Sequence, residues 1–193
     1  MRSLLLFLAF FPAAVFAQDQ SAIADAEAAC GPKTTNFAVS ADHIHPSPRP
    51  DPDKALVFII EDLGQCVDCE DYGFAGHGSH GYWGPIATDV YGAITKVGLD
   101  GSWIGANQGN SYLFTTLDAG EHHLCLNWQS QMEERSRAFV MAGFTAEAGK
   151  VYYFRARLFP GYADYSFDLD PVNPDEGKFL VASSVHSLSR IKK

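Results

Sequence analysis

Positive charge is scarce in this sequence, which has 14 Lys and Arg residues against 23 Asp and Glu residues. Binding to a nucleic-acid backbone requires clustered Lys and Arg, so a formal net charge of −9 predicts that nucleic acid is not a partner. The sequence also lacks a Gly-x-Ser-x-Gly elbow and a His-Glu-x-x-His motif. We therefore predict a protein that is not an enzyme.

Long apolar runs are also absent, apart from one at the N-terminus. Arg2 precedes the run LLLFLAFFPAAVF, and small residues near Ala17 match what a signal peptidase reads. The run is shorter than the roughly 20 residues that a spanning helix needs. Residues 1–17 are thus predicted to be a cleaved signal peptide. Export to the periplasm or the extracellular space follows, with no membrane span left after cleavage.

Cysteine is rare but comes as an even set of four residues, Cys30, Cys66, Cys69 and Cys125. An exported chain meets an oxidising compartment, where such a set first suggests two disulfides. Cys125 lies on the polar stripe of a predicted strand, where the N-terminal segment can lie against the sheet. We expect the disulfides to be Cys30–Cys125 and Cys66–Cys69.

Cys66 and Cys69 belong to a glycine-rich loop, predicted at residues 64–85, that also contains His77 and His80. The spacing Cys-x2-Cys-x7-His-x2-His supplies two thiolates and two imidazoles, the groups that form tetrahedral zinc sites. The spacer between the pairs is shorter than in the usual zinc finger, and the compartment favours oxidised thiols. A disulfide is therefore the leading interpretation of this loop, and a zinc site is the alternative.

The pattern of residues 94–128 predicts a β-meander built on two tight turns. Asp100-Gly101 between apolar runs is typical of a type I′ hairpin turn, which needs positive φ at both central residues. Asp118-Ala119-Gly120 predicts the next reversal. Further hairpins are expected at Gly149 and at Pro160-Gly161.

The hairpin at Pro160-Gly161 has two distinct predicted faces. Symmetric pairing about this turn places Phe154 opposite Phe167 and Arg157 opposite Asp164, so that apolar meets apolar and cation meets anion. After this hairpin, Asn173-Pro174-Asp175-Glu176 is typical of a helix start, with Asn at the N-cap and Pro at the first helical position. The sequence predicts a short helix over residues 174–183 and a frayed tail from Ser187.

Several other side chains have both a functional and a structural interpretation. Glu61 and Asp62 are adjacent carboxylates at a strand end, where solvated charges are commoner than an acid/base pair. His122 and His123 point apart in a strand and are interpreted as ordinary sheet histidines. The residues Tyr112, Trp83, Trp103 and Trp128 include enough aromatic surface for sugar stacking, but core packing is favoured for all except Trp83.

Six short stretches carry a family resemblance: KALVFI at 54–59, VGLDGSWIG at 97–105, NSYLF at 110–114, AGEHHLC at 119–125, GKVYYFR at 149–155 and DEGKFLVA at 175–182. In this order they resemble the bacterial family of the domain of unknown function numbered 2846. The predicted meander, residues 94–128, also resembles the PEGA repeat of bacterial surface proteins. The resemblance implies an exported or envelope-associated β-sandwich without a known activity.

Together these patterns predict an all-β protein, an antiparallel β-sandwich of immunoglobulin-like or PEGA-like type. It should have about seven strands and one short C-terminal helix. Residues 18–53, which end in a proline-rich run, are predicted to be an extended lead-in, and residues 54–190 the domain. The expected function is a non-enzymatic binding or assembly module of the cell envelope or extracellular space. Its partner would be an envelope or extracellular protein or a glycan, with no cofactor unless the loop binds zinc.

Overall fold

A computed structural model describes residues 30–62, 94–129, 139–160 and 165–193 of the chain. Strands dominate these ranges because β-branched and aromatic residues recur with strand periodicity. The elements are β1 (Phe37–Asp42), β2 (Lys54–Glu61), β3 (Ile94–Leu99), β4 (Ser102–Gln108), β5 (Ser111–Asp118), β6 (Gly120–Gln129), β7 (Phe139–Ala146), β8 (Val151–Pro160), β9 (Tyr165–Val172), α1 (Pro174–Ser183) and β10 (Val185–Ile191).

The strands form two sheets, one of six strands in the order β1-β10-β5-β2-β8-β9 and one of four in the order β4-β3-β6-β7. β10 with β5 and β2 with β8 are parallel pairs, and the remaining pairs are antiparallel. The prediction of a mostly β protein with one short helix is thus confirmed. The predictions of seven strands and of wholly antiparallel pairing are wrong, because ten strands are described and the chain crosses between the sheets.

The predicted meander is correct only in its first hairpin. Asp100 and Gly101 have φ values of 49° and 80°, as a type I′ turn between β3 and β4 requires. β5 then joins the six-stranded sheet, and β6 returns to pair with β3. A hairpin was also predicted at Gly149, but there the chain passes from one sheet to the other. β7 pairs with β6, whereas β8 pairs with β2 and β9.

The sheets share one apolar core, to which alternate residues of β2 contribute. Ala55, Val57 and Ile59 face the four-stranded sheet, where they meet Val97 and Leu126. The opposite face of β2 contributes Leu56, Phe58 and Ile60 to a second cluster, which also contains Leu180 of α1. β2 is therefore covered on both faces, which explains its unbroken apolar sequence.

Both ends of the described chain join the edge of the six-stranded sheet. β1 lies within the segment predicted as the lead-in, and it pairs antiparallel with β10 from Phe37–Ile191 to Asp42–His186. The prediction of a frayed tail from Ser187 is wrong, because β10 extends to Ile191 between β1 and β5.

A disulfide joins Cys30 to Cys125 of β6, with 5.3 Å between their Cα atoms, as the sequence analysis predicted. Leu124 and Leu126 face the shared core, and Cys125 lies on the opposite face under the N-terminal segment. The Trp103 indole donates a hydrogen bond to the Pro32 carbonyl at 2.8 Å. The four-stranded sheet therefore fixes the chain that leads into β1.

The structure confirms the predicted faces of β8 but not its pairing with β9. Phe154 is buried opposite Pro171, and Arg157 lies opposite Asp168, four residues from the predicted partners. An even shift keeps each side chain on its predicted face, because the side-chain period of a strand is two. Arg157 consequently still meets carboxylates, at 3.7 Å from Asp168 and 3.0 Å from Asp170.

The helix α1 begins and ends where the sequence predicts. The Asn173 side chain accepts hydrogen bonds from the backbone N–H groups of Asp175 and Glu176, as an N-cap does. Pro174 occupies the first helical position, and Leu180 is buried against the sheet. This docked helix forms one wall of the site described next.

Candidate functional site

A groove of about 350 Å³ crosses the face of the six-stranded sheet that contacts α1. Its floor is made by side chains of β2 and β8, namely Leu56, Phe58, Val151 and Tyr153. The parallel register places Leu56 beside Val151 and Phe58 beside Tyr153. The Phe58 and Tyr153 rings stack at 5.2 Å with 11° between their planes. The floor is therefore a flat aromatic and aliphatic surface.

The walls of this groove come from residues 45–48 on one side and from α1 on the other. Pro46 and Pro48 have restricted φ, which stiffens the first wall. Val181 and Ala182 line the helical wall, where Lys178 adds a cationic group that is 68% exposed. Among the described residues, no carboxylate lines the groove. The site is thus mainly apolar, with the Lys178 ammonium at its mouth, 4.0 Å from the Asp175 carboxylate.

The groove floor continues into a buried aromatic cluster. Phe58 contacts Tyr112 and Phe114, and His186 contacts the rings of both. Tyr112 is fully buried, which confirms the core interpretation of this residue over a sugar-stacking role. Among the described residues its hydroxyl has no hydrogen-bond partner, and burial together with the nearby Asp42 charge raises its pKa. Burial also lowers the pKa of His186, although the Asp42 charge opposes this shift.

A second polar feature lies between the sheets, where Glu61, Thr95 and Asn107 are fully buried and form what we call the acceptor cluster. Within the part of the chain that the structure describes, no hydrogen-bond partner is found for either Glu61 carboxylate oxygen, for Thr95 Oγ1 or for Asn107 Oδ1. Burial raises the Glu61 pKa from 4.5 to about 8, and the Thr95 hydroxyl reduces the shift without reaching hydrogen-bond geometry. The interpretation of Glu61 as a solvated strand-end charge is therefore wrong.

Asp62 directly follows β2 and lies on the other face of the sheet from Glu61, as expected of neighbouring residues in extended chain. It forms an ion pair with Arg155, which also contacts Glu176 of α1 at 3.1 Å. The two neighbouring carboxylates thus have different environments. Asp62 helps to attach the helix, whereas Glu61 faces the core.

His122 and His123 also differ in their surroundings. His122 Nδ1 lies 2.7 Å from Asp100, and its Nε2 lies 2.9 Å from the Asp118 carbonyl. Burial lowers the His122 pKa, but these two partners more than reverse the effect and leave it raised. His122 therefore ties the β3–β4 turn to β6, which agrees with the interpretation of a structural sheet histidine.

The sequence-predicted sites at Cys66, Cys69, His77 and His80 lie outside the described residues, as do the signal peptide and Trp83. The zinc and Cys66–Cys69 hypotheses thus stay predictions. Cys30 and Cys125 form a disulfide, so Cys66 and Cys69 are the two remaining cysteines of the sequence. Within the described ranges, no cluster of three or more His, Cys, Asp or Glu side chains is placed to bind a metal.

Sequence reasoning missed both the groove and the acceptor cluster. The groove depends on the parallel β2–β8 pairing and on a docked helix, which local patterns do not specify. Glu61 had a usable signal, because it continues the core-facing series Ala55, Val57 and Ile59 with a period of two.

In the described ranges, no helix is sufficiently long and apolar to cross a membrane.

Comparisons with protein-family models, with curated proteins and with solved structures found no match to this chain.

Proposed function

We propose that this protein is an exported, non-enzymatic binding module whose groove takes a small amphiphile, with an apolar body and an anionic group. The groove itself carries the proposal. Its volume of about 350 Å³ falls in the range of small-molecule sites, roughly 300–1,000 Å³. The apolar body would lie on Phe58 and Tyr153, and the anionic group would meet Lys178.

Two features of the groove favour this ligand class over a glycan. Most of the lining is aliphatic or aromatic, whereas a sugar needs many hydrogen-bond partners for its hydroxyl groups. Positive charge at the mouth contrasts with the net negative charge of the chain. An anionic group can therefore pair with Lys178 in this groove, in competition with Asp175, whereas the net charge of the chain disfavours anions elsewhere.

Export and the finer fold type belong to the same proposal. The charged start and apolar run of residues 1–17 support export. Intact mass of the exported protein should then correspond to an N-terminus at Gln18. The shared core of the two sheets supports a sandwich of immunoglobulin-like or PEGA-like type. The resemblance to the domain of unknown function 2846 favours the same envelope-associated class.

Binding is tested with 8-anilinonaphthalene-1-sulfonate, a fluorescent probe that combines aromatic rings with one sulfonate. We expect saturable binding of one probe per chain. Ala182→Trp should abolish this binding, because Ala182 is exposed on the groove wall and a Trp there fills the space. Lys178→Glu should weaken it at least about tenfold through charge reversal.

Lys192→Glu is the matched control, since Lys192 is exposed and does not line the groove. It changes the net charge as Lys178→Glu does and should leave probe binding unchanged. All three variants should retain the wild-type melting temperature. Equal probe binding by Ala182→Trp and wild type would show that the groove is not the binding site.

A further inference from the structure

When Glu61 is ionised, the acceptor cluster of Glu61, Thr95 and Asn107 has more hydrogen-bond acceptors than donors. Asn107 Nδ2 donates to the Ile59 carbonyl at 3.1 Å, which fixes the amide and leaves Oδ1 as an acceptor without a partner among the described residues. Asn107 is the register partner of Thr95, so the two side chains are neighbours across β3 and β4. Four oxygen atoms with unused lone pairs thus lie inside the protein, one carboxylate among them.

Nearby cationic side chains have partners elsewhere. Lys96 follows Thr95 in β3, but its Nζ lies 3.3 Å from the Thr35 carbonyl and 4.5 Å from the Trp103 ring centroid. Arg155 pairs with Asp62 and Glu176 on the opposite face of the six-stranded sheet. Within the described part of the chain, only burial and the Thr95 hydroxyl shift the Glu61 pKa.

We propose that the acceptor cluster is a binding site for a monovalent metal cation, with sodium as the ion that fits its chemistry. All of its donors are oxygen atoms, which suit hard cations rather than zinc or copper. One carboxylate balances one positive charge. A divalent ion would leave an unpaired charge in the core, where such a charge is costly.

The cluster lies near the ends of its strands. Glu61 is the last residue of β2, Thr95 is the second residue of β3, and Asn107 precedes the last residue of β4. The three side chains therefore lie at one edge of the shared core rather than at its centre.

The test is thermal unfolding of the mature protein at about pH 8, with sodium chloride replacing choline chloride at constant total salt. A ligand that binds only the folded state raises the melting temperature in proportion to the logarithm of its concentration above Kd. We expect a rise of about 5 °C between a sodium concentration equal to Kd and one a hundred times higher. Glu61→Gln should abolish the rise, because it removes the carboxylate.

Asp62→Asn is the matched control, since it neutralises the adjacent carboxylate on the other face and should keep the full sodium response. If Glu61→Gln does not fold, broadening of the sodium-23 NMR signal by wild-type protein, reversed by Thr95→Val, provides the same test. Equal melting temperatures in sodium and choline would refute the proposal. A larger shift with calcium at a lower concentration would refute the monovalent assignment.

Discussion

At the scale of single residues, Glu61 is the side chain whose environment differs most from its usual one. Its pKa in the folded protein is about 8, compared with 4.5 for an unperturbed Glu. The folded state therefore holds this proton more tightly than the unfolded chain. The contribution of protonated Glu61 to the free energy of unfolding is fully present below about pH 4.5 and is lost as the pH rises to about 8.

This linkage predicts how Glu61→Gln changes the pH dependence of unfolding. Gln resembles the protonated Glu but does not ionise. From about pH 5.5 to about pH 8.5, wild type should lose roughly 3 kcal/mol of unfolding free energy relative to the variant, since one pKa unit corresponds to 1.36 kcal/mol. Urea denaturation in sodium-free buffer measures the difference. Parallel curves for the two proteins would show that Glu61 is ionised in the folded state at neutral pH.

Among the elements, α1 depends on a glycine inside the helix. Gly usually costs a helix about 1 kcal/mol relative to Ala. At Gly177, however, a Cβ atom would lie 2.2 Å from Cγ of Tyr153, so only Gly allows the helix to approach the sheet this closely. The sequence indicates a weak point in the helix here, whereas the structure shows a close packing contact.

Gly177→Ala should therefore destabilise the protein by about 1–3 kcal/mol, as overpacking does, despite the better helix propensity of Ala. It should also change probe binding, because Tyr153 forms part of the groove floor. Urea denaturation and the fluorescence titration measure the two effects. Phe179→Ala is the control on the same helix: Phe179 is 69% exposed, and its truncation should change stability by no more than about 0.5 kcal/mol. A more stable Gly177→Ala variant would contradict this packing.

Elements whose limits depend on local chemistry could be predicted from the sequence, whereas their partners could not. The Asn173 cap, the Asp100-Gly101 turn and the alternation in β8 are local signals, and the structure agrees with each. The turn at residues 118–120 also reverses the chain, but it connects β5 to β6, which lie in different sheets. The placement of β5 in the six-stranded sheet depends on Tyr112 and Phe114. These two side chains need apolar cover on the face opposite Leu113 and Leu117.

At the scale of the whole molecule, the Cys30–Cys125 disulfide connects the N-terminal segment to the four-stranded sheet before that segment enters the six-stranded one as β1. Gln129 adds a reciprocal contact with Phe37, through hydrogen bonds of 2.6 Å and 2.8 Å. The crosslink therefore holds the two sheets in their arrangement through β1. Cys30, the first of the two crosslinked residues, also lies 15 positions before the start of the groove wall at residues 45–48.

Removing this disulfide with Cys30→Ala and Cys125→Ala should lower the free energy of unfolding by roughly 4–5 kcal/mol. The two residues are 95 positions apart, and a crosslink that closes such a long loop removes much conformational entropy from the unfolded chain. Urea denaturation measures the loss. Cys66→Ser with Cys69→Ser is the matched control, because a crosslink between residues so close in sequence restricts the unfolded chain less. An equal loss in both double variants would contradict this entropic account, and peptide mapping of unreduced protein that found Cys30 as a free thiol would contradict the pairing itself.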